Sequence, residues 1–600
     1  MIDRLAAHLK LTFYLCLLTA GAVGLFLKDA PAAEGWLPLA YQWSVVGYYG
    51  SVLLLLAVLT APLCVSRHTR WAWPVIGWGW LAFLGIDLAV FNLYRFHLDW
   101  MLVDMFLNDF RGMGIPVFLL VLSVMLLLAL LGLVLWLFAS SRTGARKHMA
   151  WFVIGILSMP IGLVINSTIN IWAAHFVRNE ITRYRPFLPI YFPVELDASA
   201  RTISAAMPSV FPAAYGKTES ADSSKSGIVR YPAAEPLCVP AADAPSILMI
   251  VLESWQADAM SAEITPNIAR FAQSATRFDQ HVSSGATTVP GLFGLVYGLH
   301  PNYFYLIRSS SNSHPSLFTE TLHKQGYRTR VFTSSNLDGF SLDSLFFRRV
   351  HKQDFVMASG DEVPVQRYID SLSAPETERR FDFLFLTSSH SSYTYPKEFT
   401  KFKPLPAVEG GYVLDKYADN RLYKNDYYNS LYYLDSLVGK LLAAAGRVGK
   451  LKNTWVVITG DHAEEFNENG QGYWGHGSNF TRWQTQTPMI LKAPGQLDPK
   501  VEPGLSLHQD VVPTLMKHAL GCESPVADYS NGADLLALPH NRGTIISSYM
   551  ATAYLIDGVV MDKTVNRKYD WRGFDRPFAT PPASDVRALM EEEGRFIQRN

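Results

Sequence analysis

Residues 460–479 read GDHAEEFNENGQGYWGHGSN and follow the apolar run TWVVIT, so Asp461 and His462 come at the end of a buried strand and His476 returns fourteen positions later. A second apolar run, SILMIVL at 246–252, is followed directly by Glu253. Two strands that deliver a carboxylate and an Asp-His pair to one sheet edge assemble the donor set of a divalent ion such as manganese, magnesium or zinc. A bound ion needs a nucleophile beside it. The stretch HVSSGATTVPGLFGLVYGLHP places Thr287 and Thr288 where an apolar helical pattern begins. A hydroxyl there can be deprotonated with help from a metal, and the helix end favours negative charge on a bound phosphate. Either threonine could instead simply cap the helix. His390, in DFLFLTSSHSSYTYP, lies just past another strand end. An imidazole in that position can hold a phosphate oxygen or protonate a leaving alkoxide.

These residues need a scaffold, and the second half of the chain has the pattern of one. Apolar runs at 246–252, 327–335, 382–389, 454–460 and 488–494 read as strands, with amphipathic stretches such as YYNSLYYLDSLVGKLLAAAG between them. Runs apolar on both faces and separated by crossovers imply a mainly parallel sheet covered by helices. Ligands of such sheets sit beyond the carboxyl ends of the strands. Between Glu195 and Asp243 the chain is rich in Ala, Ser and Pro, as in TESADSSKSG, and reads as a linker.

The first part of the chain is different in kind. Hydrophobic residues make up 49% of the 600 residues and charged ones only 17%. The apolar excess is concentrated before residue 175. Five stretches, Leu11–Leu27, Val45–Cys64, Trp71–Phe91, Ile115–Phe138 and Trp151–Ala173, match the length of about 20 residues that crosses a bilayer core. The first reads as a retained anchor rather than a signal peptide, since four more spans follow and no small-residue cleavage site is evident. Arg4, Lys10, Arg67, Arg70, Arg142, Arg146 and Lys147 fall on one side, against Lys28, Arg95 and Arg111 on the other. The richer side is expected to be cytoplasmic, which puts the N-terminus inside and the chain after about residue 175 outside. The expected organisation is therefore a five-span domain at 1–175, an interfacial segment and linker at 176–244, and an exported α/β domain at 245–600. Equal numbers of basic and acidic residues, 52 each, give no sign of a polyanionic partner, and no nucleic-acid motif is present. Cys238 and Cys522 could close one disulfide, but the reading favours two unpaired buried thiols.

Taken in order, VLES, GATTVPGLFGLVYGLHP, SSHSSYTYP, TGDHAEEFNENG with WGHGSN, and LHQDVVPTLMKHALG resemble the sulfatase-like branch of the alkaline phosphatase superfamily. Within it they look most like the membrane-anchored lipoteichoic acid synthases and phosphoethanolamine transferases. The resemblance implies a sulfatase-like fold, a metal held by Glu253, Asp461, His462 and the threonine, Thr288 or Thr287 as nucleophile, and substrate contacts from His390 and His476. It also implies transfer of a phosphoalcohol from a phospholipid through a phosphothreonine. A sulfate ester fits less well, because no C/S-x-P-x-R motif accompanies Thr288.

Over nearly the whole chain, with RYRPFLPIYFP after the last span and SPVADYSNGADLL near the end, the sequence is similar to the YejM (PbgA) family of Gram-negative inner membranes. That similarity implies an inner-membrane protein with a periplasmic domain and a role in outer-membrane lipid homeostasis. The partners it implies are phospholipids such as cardiolipin, phosphatidylethanolamine or phosphatidylglycerol, lipopolysaccharide, and a regulatory membrane protein of lipopolysaccharide synthesis. Enteric members are regarded as having a degenerate metal site, whereas this chain keeps the Asp-His pair and His476. A lipid-binding sensor or transporter without turnover is thus the alternative to an enzyme. Independently of any family, Arg178, Arg183 and Arg185 are interleaved with Tyr184, Phe187, Tyr191 and Phe192 just after the last span. Such a segment suits either capture of lipid phosphate or an aromatic-basic anchor that sets helix depth.

Overall fold

The computed structural model describes the chain except residues 1, 65, 67–68, 96, 99–102, 104–116, 143–148, 177, 195, 213–227, 310–313, 338–341, 374–377, 408–412, 414, 550, 565–566 and 599–600. Arg67, Arg111, Arg146 and Lys147, four of the residues that weigh on orientation, lie outside the described residues, as does the TESADSSKSG stretch of the linker. The chain divides into two compact units, Met1–Ala221 with Val565–Arg567, and Asp222–Thr564 with Lys568–Asn600.

In the first unit, five helices are long and apolar enough to cross a membrane. They are α1 (Ile2–Leu27), α2 (Trp36–Thr60), α3 (Ala72–Tyr94), α4 (Val117–Ser141) and α5 (Met149–His175). Lipid tails are as apolar as leucine, so such helices associate through close packing and polar contacts rather than through hydrophobicity. Helices α2 and α5 show both. A Cβ on Gly47 would lie 2.4 Å from the Gly162 Cα, so only glycine permits this approach. Asn166 donates to Ser44 Oγ at 3.2 Å, and the Tyr41 hydroxyl donates to Asn170 Oδ1 at 3.4 Å. Most of α4, by contrast, presents exposed leucine, valine and methionine.

The second unit is built on an eight-stranded sheet. Its strands are β1 (Ser246–Leu252), β2 (Thr276–Val282), β3 (Arg328–Thr333), β4 (Phe355–Met357), β5 (Arg380–Leu386), β6 (Thr454–Gly460), β7 (Met489–Lys492) and β8 (Lys500–Leu507). The spatial order is β8-β2-β7-β6-β1-β5-β3-β4. All neighbours run parallel except β7, which is antiparallel to both β2 and β6. The period of two along β1 sends Ile247, Met249 and Val251 into one core and Leu248, Ile250 and Leu252 into the other, and all six are buried. That explains the unbroken apolar run: neither face of the strand meets water. Helices α6 (Thr288–Tyr297) and α7 (Glu362–Ser371), the long α8 (Asn420–Arg447) and α9 (Val511–His518) belong to this unit. Leu434, Leu437, Val438 and Leu441 of α8 join the second core, at the three- and four-residue spacing of a helical stripe.

The α/β class and the mainly parallel sheet expected from the sequence are therefore present. Three strands escaped that reading: the three-residue β4, β2 and β8. Strand β2, TRFDQHV, carries charges on its exposed positions, and β8 contains both Pro503 and Gly504. A smaller sheet of β9 (Gly543–Ser547), β10 (Thr552–Ile556), β11 (Val559–Asp562) and β12 (Arg567–Asp570) follows. Cys238 and Cys522 are joined in a disulfide, which corrects the expectation of free thiols. Their segments lie side by side, with the Val239 N–H donating to the Gly521 carbonyl at 3.0 Å. A sequence separation of 284 hides that proximity. Cys16 and Cys64 are free and buried.

Candidate active site

Parallel pairing of β1 with β6 puts Leu252 beside Gly460, so the residues that follow each strand emerge together. Glu253 and the Asp461-His462 pair are all buried, and one donor atom from each lies within 4.8 Å of the others. His462 Nε2 is 3.2 Å from Glu253 Oε1 and 3.4 Å from Asp461 Oδ2. His462 Nδ1 faces the Ala463 carbonyl at 3.0 Å. A proton on Nδ1 makes that bond and leaves the Nε2 lone pair directed at the carboxylates. Asp461 Oδ1 accepts from the backbone N–H groups of Ser254, at 2.9 Å, and His462, at 2.8 Å. Its other oxygen, Oδ2, is buried without a partner. A buried carboxylate oxygen and an imidazole lone pair that face each other are costly unless a proton or a cation lies between them.

The protonation of the three groups reflects this crowding. Burial alone would raise Glu253, but the hydrogen bond and charge of His462 outweigh it and hold the carboxyl at about 2. Burial and the negative charge of Glu253 push Asp461 up to about 8. Burial would lower His462, yet the charges of Asp461 and Glu253 raise it to about 9. The donor set, the unpartnered Oδ2 and the separations fit a divalent cation held by Glu253, Asp461 and His462.

Thr288 is the first residue of α6, and Thr287 precedes it in extended conformation. Thr288 Oγ1 donates to Glu253 Oε1 at 2.9 Å and lies 3.4 Å from His462 Nε2. Thr287 Oγ1 is buried with no partner. Only Thr288 thus reaches the Glu-Asp-His group, and neither threonine side chain caps the helix. Gly291 makes this arrangement possible: a Cβ there would meet the Asp461 carbonyl oxygen at 2.2 Å. Ser283 ties the same segments together by donating to that carbonyl at 2.5 Å.

His476 is brought back by a tight hairpin in which Glu465–Phe466 pair with Trp474–Gly475. Positive φ at Asn467, Gly470, Gly472, Gly475 and Gly477 supplies the turns, which accounts for the glycine-rich sequence. The His476 ring centroid lies 4.3 Å from that of His462 and 5.5 Å from that of His390. His390 sits four residues past β5. All six residues singled out around the sheet edge, Thr287 aside, are brought together here. Arg178, Arg183 and Arg185 belong to the other unit. Arg178 pairs with Glu180, Arg183 donates to the Ala32 carbonyl, and the buried Arg185 donates to Asn170 Oδ1.

The sequence reading missed two further residues of the site. Glu464, 1% exposed, accepts from the Tyr393 hydroxyl at 3.0 Å and holds His476 Nδ1 at 2.7 Å. It stands two residues after His462 in an acidic run, which looks like ordinary surface. Tyr549 lies close to Thr288, Glu253 and Asp461. Burial, then the charges of Glu253 and Asp461, push its hydroxyl upward, so it remains a donor. It arrives from the small sheet: the Ala286 N–H donates to the Ser547 carbonyl at 2.9 Å, and the Ser547 N–H to the Ser284 carbonyl at 3.0 Å. Nothing local in the sequence links Tyr549 to Thr288.

With this geometry in view, two family models divide the chain between them. Residues 245–522 match the sulfatase family, and residues 14–237 match a domain of unknown function, DUF3413. The inner membrane protein YejM of Salmonella typhi is 25% identical over 603 aligned positions, covering 96% of this chain and 94% of that protein. The chain is YejM-like. Among solved structures, a protein in the alkaline phosphatase superfamily from Vibrio parahaemolyticus aligns with TM-score 0.47 and 15% identity, over 61% of this chain and 92% of that one. The lipoteichoic acid synthase LtaP of Listeria monocytogenes aligns with TM-score 0.44 and 15% identity, over 60% and 94%. The two family matches and the similarity to the Salmonella protein together cover nearly all of this YejM-like chain.

Proposed function

We propose that the sulfatase domain is a metal-dependent phosphoester hydrolase or phosphotransferase, acting on phospholipid- or lipopolysaccharide-linked phosphoesters at the outer face of the inner membrane. The observation that carries this is Thr288 Oγ1, placed at a helix N-terminus, hydrogen-bonded to Glu253 and 3.4 Å from His462 Nε2, two members of the buried Glu-Asp-His group. A divalent ion, when bound, would lower the pKa of the threonine hydroxyl and neutralise phosphoryl oxygens. In the chemical step the Thr288 Oγ1–P bond forms as the bond from phosphorus to the leaving oxygen breaks. The hydroxyl proton passes along its hydrogen bond to Glu253 Oε1. The leaving oxygen takes a proton from His390 or His476, the latter steadied by Glu464. Water or an acceptor hydroxyl then attacks phosphorus, its proton going to the imidazole that protonated the first leaving oxygen, as the Thr288 Oγ1–P bond breaks and Thr288 takes its proton back from Glu253. Backbone N–H groups at the start of α6, together with Tyr549, face negative charge developing near Thr288.

The location is supported by the five apolar helices, by the name of the Salmonella relative and by the Cys238–Cys522 disulfide, which suits an oxidising compartment. A second reading is a sensor of cardiolipin or lipopolysaccharide that does not depend on turnover, supported by the arginines and aromatic residues that follow the last apolar helix. In it, Arg178 and Arg183 would meet lipid phosphate near the end of α5. The two readings are separated by metal analysis of the purified full-length protein and phosphate release from a generic phosphoester. Bound metal, with release abolished in Thr288→Ala and Asp461→Ala but unchanged in Thr287→Ala, supports the enzyme. A metal-free, inert protein whose Asp461→Ala variant still complements a deletion strain overturns it in favour of the sensor.

A further inference from the structure

Strands β3 and β5 pair in parallel register with Arg328 directly beside Arg380 and Arg330 beside Asp382. Cross-strand partners share a face, so two guanidiniums stand next to each other at the amino ends of these strands, an arrangement that repels. One step along, the conflict does not arise: Arg330 binds Asp382 through two bonds, Nε to Oδ1 at 2.6 Å and Nη2 to Oδ2 at 2.8 Å. Arg328 is likewise answered by Asp354, with Nη2 to Oδ1 at 2.7 Å. Arg380 has no such answer. Its guanidinium makes no hydrogen bond or ion pair among the described residues, its Nη1 is buried without a partner, and the residue is 8% exposed. Arg367 of α7, an exposed residue, also lacks a carboxylate partner among the described residues.

These four arginines line one cleft of about 660 Å³, with Gln353 and Ser371 as further polar neighbours. Asp354 and Asp382 are the carboxylates paired there, and the exposed Glu378 is within electrostatic reach of Arg328. Among the described residues the cleft keeps a net positive charge, and Arg380 has no carboxylate partner within it. A buried charge without a counter-ion is unfavourable enough that proteins supply one. A guanidinium fork matches the oxygens of a phosphate group bidentately, and the volume is that of a site for a small ligand. The cleft is separate from the candidate active site: β5 carries Arg380 at its start and the active site lies beyond its end, six residues on, about 20 Å away.

We propose that this arginine-lined cleft, between the β3–β5 face and α7, binds a phosphate group, with Arg380 and Arg367 as the residues that hold it. The group is either free phosphate or the phosphomonoester of a headgroup. The experiment uses the full-length protein in detergent carrying Asp461→Ala and treated with chelator, so that the candidate active site does not contribute. Inorganic phosphate is titrated by calorimetry and by thermal melting. Phosphate is expected to bind and raise the melting temperature. Arg380→Gln and Arg367→Gln are each expected to weaken binding by about tenfold or more, the loss of a charge-assisted contact. Arg380→Gln is also expected to raise the melting temperature measured without phosphate, because an unanswered buried charge is gone; a purely structural arginine would lower it. Should Arg380→Gln fail to fold, the exposed Arg367→Gln decides. Dihexanoyl phosphatidic acid that competes at lower concentration than phosphate assigns the site to a headgroup, and weaker competition assigns it to free phosphate. No phosphate binding in the Asp461→Ala protein, or unchanged binding in both arginine variants, overturns the proposal.

Discussion

Asp461 holds its two oxygens in different states: one accepts from two backbone N–H groups, and the other has no hydrogen bond among the described residues and faces His462 Nε2 at 3.4 Å. A cation must therefore displace protons that Asp461 and His462 hold up to about 8 and 9. Affinity for manganese or zinc is expected to rise with pH from 6 to 9, by up to about tenfold per unit for each proton displaced, as read by calorimetry at several pH values. Asp461→Asn should flatten that dependence as well as weaken binding. Glu464 acts on His476 rather than on substrate, through the 2.7 Å contact to Nδ1. Glu464→Gln is expected to lower kcat by about 10- to 100-fold with little change in KM, the usual range for a partner that orients a functional histidine.

At the scale of elements, the approach of α6 to the end of β6 is set by Gly291. Gly291→Ala would force a Cβ to 2.2 Å from the Asp461 carbonyl, so the helix and the Asp-His pair must separate. Loss of bound metal in an otherwise folded protein, by metal analysis alongside circular dichroism, is the expected outcome. Elsewhere in this unit, Glu320 is clamped by Arg348 at 2.9 Å and Arg349 at 3.2 Å. Burial alone would raise its carboxyl, but hydrogen bonds and charge from the two arginines outweigh it and hold it below the ordinary 4.5. A depressed carboxyl contributes stability that is present above the unfolded value and lost as pH falls through the folded one. Glu320→Gln should thus cost about 1 kcal/mol at neutral pH and progressively less below about pH 4.5, measured by denaturant titration across pH.

Over the whole molecule, the disulfide joins the segment leading into β1 to the loop after α9 and so closes nearly the entire sulfatase domain into one covalent ring. Reduction, or the double change of Cys238 and Cys522 to serine, is expected to destabilise this domain by about 2–4 kcal/mol. The melting transition of the full-length protein should fall on reduction, while Cys16 and Cys64, both buried, contribute no such shift. An unchanged transition would show that the bond closes no strained or mobile loop.

Local pattern was enough for the elements whose neighbours dictate them. Five apolar stretches of helix length, unbroken apolar strands and a glycine-rich turn after Asp461-His462 each follow from composition over a short window: helices that face lipid and strands buried on both faces must be apolar, and left-handed turns favour glycine. Glu253, Asp461, His462 and the Thr287–Thr288 pair were legible as candidates because each stands at the end or start of such an element. What depended on distant parts of the chain was not legible. Tyr549 meets Thr288 only because β9 is stitched to the loop before α6, Glu464 is buried only by the return of the hairpin, and Cys238 meets Cys522 across 284 residues. The choice between Thr287 and Thr288 is of that kind too: both have the same side chain, and the backbone entering α6 turns only one hydroxyl toward Glu253. Types and spacing determined which chemistry was available, and packing decided which atoms face each other.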